Sequence, residues 1–173
     1  MEKIRVLCSD KEYTQAIHKA HSFLLSKIDS LPSKYASSFK NIPQVEVIVD
    51  SSMIDLAGQA DSLKFKIRLN YHLLKGDYNK IFKIYLHEFC HLIADKAEGK
   101  HINHGSSWKK VMGLLGQVPE VCHSYDYSRL KPKEPKYKCS CSIHTLSPKD
   151  DKLVLSGKLR LICPNCNSTP LRQ

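Results

Sequence analysis

The central segment of the chain has the sequence KIFKIYLHEFCHLIADKA over residues 80–97. We predict an α-helix here, because apolar residues recur at intervals of three or four and would form one buried stripe. The residues of this stripe are Phe82, Leu86, Phe89 and Ile93. Gly99 follows the segment, and glycine commonly ends a helix because it adopts the left-handed conformation without strain.

This predicted helix contains the HExxH motif His87-Glu88-Phe89-Cys90-His91. Residues four apart lie one turn apart on the same face of a helix, so His87 and His91 can bind one metal ion. The pair points away from the apolar stripe, and we therefore expect it to face a cleft. Glu88 is offset to one side and is long enough to reach a water molecule at the metal, as a general base must. Cys90 lies at the edge of the stripe and is predicted to pack in the core.

A catalytic zinc ion usually has three protein ligands and one open position. The candidates for the third ligand downstream of the motif are His101, His104 and, more remotely, His123. Asp95 lies one turn beyond His91 and is either a hydrogen-bond acceptor for that imidazole or an exposed helix residue.

N-terminal to the central helix, the sequence predicts one helix, a connection and two strands. The helix covers residues 9–28, with Ser9 as the first residue of a capping box. The Ser-rich residues 32–38 are predicted to form an irregular connection. One strand is predicted at Val45–Val49, which is rich in β-branched residues, and another at Leu63–Leu69, where apolar residues alternate with Lys or Arg.

C-terminal to the central helix, a further helix is predicted after Gly105, with Trp108 at the start of its buried stripe. The charged, proline-containing residues 131–136 then form the best candidate for a linker. The sequence therefore predicts one domain over residues 1–130 and a smaller one over residues 131–173.

The chain has 173 residues and a formal net charge of +10. Residues 131–173 contain nine Lys or Arg and three Asp or Glu. A positive charge of this size favours a polyanionic partner such as DNA. No apolar stretch approaches the roughly 20 residues needed to cross a bilayer, and the N-terminal sequence MEKIRVLCSD lacks the apolar region of a signal peptide. We therefore expect a cytoplasmic protein without membrane contact.

Four of the seven cysteines lie in the last 35 residues. Without an export signal, this density predicts a metal site rather than disulfides. The four form a C-x-C pair and a C-x-x-C pair: Cys139, Cys141, Cys163 and Cys166. Four thiolates suit a tetrahedral structural zinc ion. His144 is an alternative to Cys141, which would give three thiolates and one imidazole.

The cysteine segment has few apolar residues for its length, so we expect a zinc ion to stabilise it. Apolar residues around Gly157 predict a small β-hairpin over residues 153–162. Residues 131–173 are thus predicted to form a linker and a β zinc ribbon.

The order of these motifs resembles that of the SprT-like zinc metalloprotease family (SprT/Spartan type). The HExxH motif is followed after twelve residues by His104-Gly105-Ser106-Ser107-Trp108, which is similar to the H-G-x-x-[FW] sequence of that family. Ala57-Gly58-Gln59-Ala60 and Ile67-Arg68-Leu69-Asn70 resemble the strand pair that precedes its active-site helix. The C-terminal cysteines resemble its zinc ribbon.

The resemblance implies an α+β fold. It consists of a zincin-like metalloprotease domain, with helices, a small antiparallel sheet and HExxH on the active-site helix, followed by a small β zinc ribbon. It implies one catalytic Zn²⁺ bound by His87, His91 and His104, with Glu88 as the catalytic acid/base, and one structural Zn²⁺ at the cysteines. The implied activity is that of a zinc metalloendopeptidase acting on a protein or peptide substrate. Eukaryotic members of the family cleave proteins crosslinked to DNA, so DNA-associated proteins are candidate substrates.

Two other functions are compatible with the same residues. The first is a non-enzymatic nucleic-acid-binding protein with two structural zinc sites, and the second is a metal-dependent hydrolase of a non-peptide substrate. Glu88 favours an enzyme, because a structural site usually has four ligands and needs no glutamate beside them. Tyr125 and Tyr127 are either oxyanion donors or ordinary solvated tyrosines. A substrate segment could pair with the edge of the Leu63–Leu69 strand.

Overall fold

The computed structural model describes residues 3–121, 125–130 and 134–173. The chain divides into two compact units, which we call the first unit (residues 1–130) and the second unit (residues 131–173). Among the sequence predictions, His123 and residues 131–133 of the linker lie outside the described residues. None of the described helices combines the length and the apolar character that crossing a membrane requires.

The first unit combines helices with a small sheet, which confirms the predicted α+β class. Its elements are β1 (Ile4–Leu7), α1 (Lys11–Ile28), α2 (Ser33–Lys40), β2 (Val45–Asp50), β3 (Gly58–Asp61), β4 (Lys66–Asn70), α3 (Tyr71–Leu74), α4 (Tyr78–Glu98) and α5 (Ser106–Leu114). The predicted strand at Val45–Val49 and the helices on either side of Gly99 are therefore present.

The four-stranded sheet of the first unit has the order β1-β2-β4-β3. β1, β2 and β4 are parallel, and β3 alone is antiparallel to its neighbour β4. The expectation of an antiparallel sheet is therefore wrong. The chain between β1 and β2 forms α1 and α2, and a long helical crossover of this kind joins parallel strands. Only β3 and β4, which are joined by a short turn, form an antiparallel pair.

Helix α4 is the centre of the core. Its residues 84–95 are all buried, because α1, α2, α5, β3 and β4 surround it. Cys90 is fully buried, as predicted, and Phe82 of the predicted stripe is only partly buried. A buried polar pair joins α1 to α4, in which His21 Nδ1 lies 2.7 Å from the hydroxyl of Tyr85. The left-handed conformation of Gly99, with φ of 67°, ends the helix as expected.

Helix α1 begins later than the sequence predicted. Its N-cap is Asp10, whose carboxylate accepts a hydrogen bond of 3.1 Å from the backbone N–H of Tyr13. Ser9, the predicted cap, lies outside the helix. The cap therefore lies one residue after the predicted position, and the helix begins at Lys11, because Asp10 supplies the capping oxygen.

Helix α2 forms where an irregular connection was predicted. Tyr35 and Phe39 lie one helical turn apart and are both buried in the core, so the segment has an apolar face despite its serines. The ammonium of Lys3 donates hydrogen bonds to the carbonyls of Phe39, Lys40 and Ile42 at 3.0, 2.7 and 3.1 Å. These contacts satisfy carbonyl groups that the end of a helix leaves without partners.

The predicted Leu63–Leu69 strand is only partly a strand. β4 starts at Lys66, and Leu63 lies in the turn between β3 and β4 with 93% of its surface exposed. The carboxylate of Asp61 accepts hydrogen bonds from the backbone N–H groups of Leu63 and Lys64 at 3.1 and 3.0 Å. Such a side-chain bond stabilises a tight turn, and it interrupts the alternating pattern that predicted a longer strand.

The second unit contains β5 (Lys136–Lys138), β6 (Ile143–Thr145), α6 (Pro148–Leu155) and β7 (Leu171–Arg172). The three strands form an antiparallel sheet of order β6-β5-β7. The predicted hairpin over residues 153–162 is wrong, since its first part belongs to α6. The hydroxyl of Ser147 caps that helix by accepting a hydrogen bond of 3.1 Å from the N–H of Asp150, and Pro148 occupies its first position, where proline is well tolerated.

Candidate functional site

Three histidines converge in the first unit. Helix α4 places His87 and His91 one turn apart, and the loop after α4 brings His104 to them. The Nε2 atom of His104 lies 3.0 Å from that of His87 and 3.3 Å from that of His91. One ligand atom from each residue lies within 4.8 Å of the others.

The arrangement of these nitrogens fits a zinc ion. Tetrahedral zinc binds imidazole nitrogens at roughly 2.0–2.1 Å, which places two such nitrogens about 3.3 Å apart. Burial, and then the neighbouring His104, lower the pKa of His91 to about 4. The imidazole of His91 is therefore neutral at physiological pH, and the neutral form is the one that binds metals.

The ring of Trp108 packs against all three imidazoles. It is fully buried, as predicted, and its ring centroid lies 4.7, 5.3 and 4.5 Å from those of His87, His91 and His104. Its indole N–H donates a hydrogen bond of 3.2 Å to the backbone carbonyl of His87. The sequence predicted a core residue here but missed this contact with the histidines. The spacing of Trp108 from His104 in the H-G-x-x-W motif was the available signal.

Glu88 lies beside the histidines and is only 7% exposed. Burial raises the pKa of its carboxyl group to about 8, and a hydrogen bond from the backbone N–H of Ala60 partly offsets this rise. A nearby dication would lower this pKa by stabilising the carboxylate.

Strand β3 passes so close to Glu88 that only glycine fits at position 58. A Cβ atom on Gly58 would lie 2.7 Å from Oε1 of Glu88 and 2.7 Å from Cγ2 of Ile84. Gly58 therefore allows the strand to hold the Glu88 side chain in place. Sequence reasoning assigned no such role to Gly58, although this residue lies within the resemblance at residues 57–60.

Asp95 is buried and binds partners other than His91. Its Oδ2 atom accepts hydrogen bonds from Ser62 Oγ at 2.6 Å and His101 Nδ1 at 2.8 Å, and its Oδ1 atom accepts one from the N–H of Ile102 at 3.0 Å. Neither prediction for Asp95 is correct, because the loop after Gly99 folds back over this face of α4. Asp95 thereby fixes both the β3–β4 turn and the loop that carries His104, and His101 takes part in that connection.

The three histidines and Glu88 open into a cleft of about 390 Å³. One wall consists of Gly58, Gln59 and Ala60 of β3, and Tyr127 lies on another side. Among the described strands, β3 is the outer one next to the cleft, whereas β4 lies between β2 and β3. The predicted substrate-binding edge of the Leu63–Leu69 strand is therefore already paired on both sides. Tyr125 packs against the core, with Lys80 Nζ 5.5 Å from its ring centroid.

The four C-terminal cysteines meet in the second unit. Their sulfur atoms lie within 4.8 Å of one another, and Cys141 Sγ is 3.5 Å from both Cys139 Sγ and Cys163 Sγ. Tetrahedral zinc with bonds of about 2.3 Å would place such sulfurs about 3.8 Å apart. Hydrogen bonding from Ser142 lowers the pKa of Cys139 and favours its thiolate, whereas hydrogen bonds with the other cysteines raise the pKa of Cys141.

His144, the alternative ligand to Cys141, lies beside this cluster. Its Nε2 atom is 3.4 Å from Cys139 Sγ and 3.1 Å from the hydroxyl of Ser142. The described metal-binding group consists of the four cysteines, including Cys166. The geometry therefore favours the set of four thiolates, with His144 as a neighbour of Cys139.

A buried polar network connects the elements of the second unit. Asp151 of α6 accepts hydrogen bonds from the hydroxyl of Tyr137 at 2.8 Å and from Arg172 at 2.8 and 3.1 Å. Tyr137 belongs to β5 and Arg172 to β7, so one carboxylate joins the helix to two strands. The sequence contained no periodic signal for this network.

Comparisons with known proteins agree with these features. The profile of the SprT-like family matches residues 25–129. Protein SprT of Pasteurella multocida is 35% identical over 112 residues, which are 64% of this chain and 68% of that protein. Protein SprT of Proteus mirabilis is 32% identical over 116 residues, 65% of this chain and 69% of that protein. Protein SprT of Shewanella oneidensis is 29% identical over 114 residues, 65% of this chain and 73% of that protein. The search of solved structures found no significant match. The chain belongs to the SprT-like family.

Proposed function

We propose that the protein is a zinc-dependent metallopeptidase. The observation that carries this proposal is the convergence of three imidazole nitrogens beside a buried carboxyl group, in a cleft next to an outer β-strand. An all-histidine set with three members leaves room for a reactant, as catalytic sites require, whereas structural zinc sites usually have four ligands.

His87, His91 and His104 would hold the catalytic Zn²⁺, and the four cysteines would hold a second, structural Zn²⁺. When bound at the histidines, zinc supplies Lewis-acid activation of a peptide carbonyl and of water. Trp108 keeps the three imidazoles in place from the core side.

Glu88 acts as the general base and acid. Its carboxylate accepts a proton from the attacking water and delivers it to the nitrogen of the leaving amine. Burial raises the pKa of Glu88 to about 8 in the metal-free chain, and a nearby positive charge lowers it towards the operating pH. A group whose pKa lies near the operating pH transfers protons in both directions efficiently. The close contact with Gly58 keeps the carboxyl group in the cleft.

The outer edge of β3 binds the substrate backbone. An extended peptide can pair with such an edge through main-chain hydrogen bonds, and Gly58–Ala60 line the cleft at this position. This binding mode tolerates many side chains, so we expect the enzyme to cleave unfolded protein segments of varied sequence.

Replacement of Glu88 by Gln tests the proposal, because the change removes the base and leaves the three histidines intact. We expect the zinc content to remain that of the wild-type chain, while the rate of protein cleavage falls by about 10² or more. Elemental analysis and the digestion of denatured proteins, with and without DNA, measure the two quantities. Equal cleavage by both proteins would contradict the role of Glu88. If the wild type hydrolysed only non-peptide esters or amides, the alternative function of a metal-dependent hydrolase with a non-peptide substrate would be favoured.

We further propose that the second unit binds DNA, with proteins on that DNA as substrates. Lys136, Lys138, Lys158 and Arg160 are exposed in this unit, and lysine and arginine at such positions can contact phosphates. The binding constant should then fall linearly with salt on a logarithmic scale, with a slope of roughly −0.7 to −0.9 per phosphate contact. Binding whose affinity does not depend on the salt concentration would contradict this role. If DNA binds but the wild type cleaves nothing, a non-enzymatic nucleic-acid-binding protein becomes the better account.

A further inference from the structure

A second cavity of about 700 Å³ adjoins the cleft, and we call it the flanking pocket. Its walls are β3, the β3–β4 turn, the C-terminal half of α4 and the loop that follows Gly99. Gln59, Ala60 and His101 line both the flanking pocket and the cleft. The two cavities are therefore neighbours along the same strand.

One side of the flanking pocket is apolar. Leu63, Phe65 and Leu92 line it. Leu92 is fully buried, whereas Leu63 is 93% exposed at the tip of the turn. A single exposed leucine is common on protein surfaces. Here it stands beside two further apolar side chains, and together they can cover an apolar group that enters the pocket.

The lining of the flanking pocket contains two carboxylates, Asp61 and Asp95, and two lysines, Lys96 and Lys100, so its formal charge is balanced. Both carboxylates already have partners within the first unit. Of its two carboxylates, that of Asp95 accepts hydrogen bonds from Ser62, His101 and Ile102. The other carboxylate, Asp61, forms an ion pair with Lys64 at 3.7 Å.

Lys96 and Lys100 also line the pocket, and within the described residues neither is joined to a carboxylate by a salt bridge. The ammonium of Lys96 lies 5.8 Å from the ring centroid of Phe65, beside the apolar wall. A carboxylate that enters next to an apolar group would find two lysines to bind it.

The position of the pocket along β3 sets its distance from the cleaved bond. Gly58 lines the cleft, and Asp61 lines the flanking pocket. These residues are three apart, which corresponds to roughly 10 Å along a strand. A peptide paired with β3 would therefore place a residue about three positions from the cleaved bond at the flanking pocket.

We propose that the flanking pocket is a substrate subsite that binds an apolar side chain with an adjacent acidic residue, about three positions from the cleaved bond. This inference rests on the peptidase function proposed above. It adds a preference to an enzyme whose backbone recognition alone would tolerate any sequence.

Paired fluorogenic peptides test the subsite with the full-length, zinc-loaded chain. Each set of peptides carries Leu-Asp, Leu-Lys or Ala-Asp three positions from one cleavable bond. One set has this pair on the N-terminal side of the bond and the other has it on the C-terminal side. We expect kcat/KM for Leu-Asp to exceed that for Leu-Lys and Ala-Asp by about tenfold in one of the two sets. Equal values in both sets would overturn the inference.

Charge reversal at Lys96 and Lys100 tests whether these two lysines cause the preference for an acidic residue. With Lys96→Glu and Lys100→Glu, the ratio of kcat/KM for Leu-Asp over Leu-Lys should fall by about tenfold or more. Lys83→Glu is the matched control, since Lys83 is exposed on the same helix and lies 13 residues from Lys96, roughly 20 Å along the axis. An equal fall in Lys83→Glu would assign the preference to the overall charge and overturn the inference.

The apolar wall has its own variant. Leu63→Ser should reduce the preference for Leu-Asp over Ala-Asp, and folding should be unaffected because Leu63 is almost fully exposed. Leu25→Ser, at an exposed position of α1, is the control and should keep the preference. An unchanged preference in Leu63→Ser would overturn the proposed role of this wall.

A binding measurement separates failure of the subsite from failure of the peptidase proposal. The Glu88→Gln chain is mixed with labelled Leu-Asp and Leu-Lys peptides, and fluorescence anisotropy reports the two dissociation constants. Tighter binding of Leu-Asp that depends on Lys96 and Lys100 would support the subsite even if the wild type cleaved no peptide. In that case only the peptidase proposal would fail. Cleavage without any preference in rate or binding would overturn the subsite alone, and the absence of both cleavage and preferential binding would overturn both.

Discussion

The two candidate metal centres differ in what surrounds them. His87 and His91 lie in the part of α4, residues 84–95, that is buried throughout, and both pack against Trp108. The cysteines lie in a unit whose described buried residues are few: Tyr137, Cys139, Asp151, Cys163 and Pro170. Two of those five are themselves candidate ligands. We therefore expect the fold of the first unit to position its centre, and we expect the second unit to depend on a bound metal ion for its fold.

The exposed apolar residues point to the same difference. Ile143, Leu155 and Leu171 of the second unit are 57%, 64% and 74% exposed, so the β-strands and helix there bury little apolar surface. A small domain of this kind usually needs a metal or disulfides for stability. The first unit has a continuous core that includes α1, α4 and the inner face of the sheet.

Metal removal is expected to have the largest effect, and it tests whether the two units differ in how far their folds depend on zinc. We expect a chelator to unfold the second unit and to leave the first unit folded, since zinc binding contributes about 10–16 kcal/mol in small zinc domains. Cys163→Ser should have the same effect, whereas His91→Ala should abolish metal binding at the histidines and leave the fold in place. Hydrogen exchange measured by mass spectrometry reads the two units separately in the intact chain. Amides of β5 and α6 that remain protected after chelation would show that the comparison is wrong.

A methyl group at position 58 sharpens the comparison within the first unit. Gly58→Ala forces Glu88 or β3 to move, because the new Cβ atom would lie 2.7 Å from Glu88 Oε1. We expect peptide cleavage to fall by roughly 10²-fold, as a small displacement of a catalytic group can produce, and the zinc content to stay unchanged. Gly113→Ala is the control, since a Cβ at this helical position would meet no described residue outside its own stretch of helix within 4 Å. Full activity in Gly58→Ala would contradict the proposed contact.

Asp95 tests how far the fold, rather than the metal, positions His104. Asp95→Asn keeps the shape of the side chain but weakens its bonds to Ser62, His101 and Ile102. We expect the zinc affinity of the histidine centre to fall by about tenfold, because residues that position ligands commonly contribute this much. Competition with a chromophoric chelator measures the affinity. Asp29→Asn makes the same chemical change in an exposed ion pair with Lys40 at the end of α1 and should leave the affinity unchanged. Equal affinities in all three proteins would assign the positioning of His104 to the metal itself.

A further prediction concerns pH and the metal-free first unit. Burial raises the pKa of Glu88 from 4.5 to about 8, so between these values the folded chain binds more protons than the unfolded chain. The contribution of Glu88 to stability is therefore complete below pH 4.5 and is lost as the pH rises to about 8. We expect the free energy of unfolding of the wild type, relative to Glu88→Gln, to decrease by up to about 1.4 kcal/mol per pH unit in this window. Urea titrations at several pH values measure the difference, and parallel curves for both proteins would refute it.

Local chemistry explains what the sequence predicted correctly. The spacing of His87 and His91 needs only a helix to bring two imidazoles to one face, and the helices at α4 and α5 follow from apolar periodicity. The direction of β1, β2 and β4 could not be predicted, because it depends on how α1 and α2 cross the sheet.

Contacts between distant residues explain the remaining errors. Asp95 has its partners in a turn that precedes α4 and in a loop that follows it, and periodicity carries no information about either. Gly58 is small because of a side chain thirty residues later in the chain, Glu88. The hairpin predicted over residues 153–162 failed because Ser147 and Pro148 start a helix just before it.

The position of Trp108 makes the first centre observable by its light emission. It is the sole tryptophan of the chain, and its ring lies within 5.3 Å of the three imidazoles. Protonated imidazole and paramagnetic ions such as Co²⁺ quench indole emission at short range. Cobalt loading of the histidines should therefore reduce the intrinsic tryptophan fluorescence. The unit that contains the cysteine centre has no tryptophan and contributes no tryptophan emission of its own.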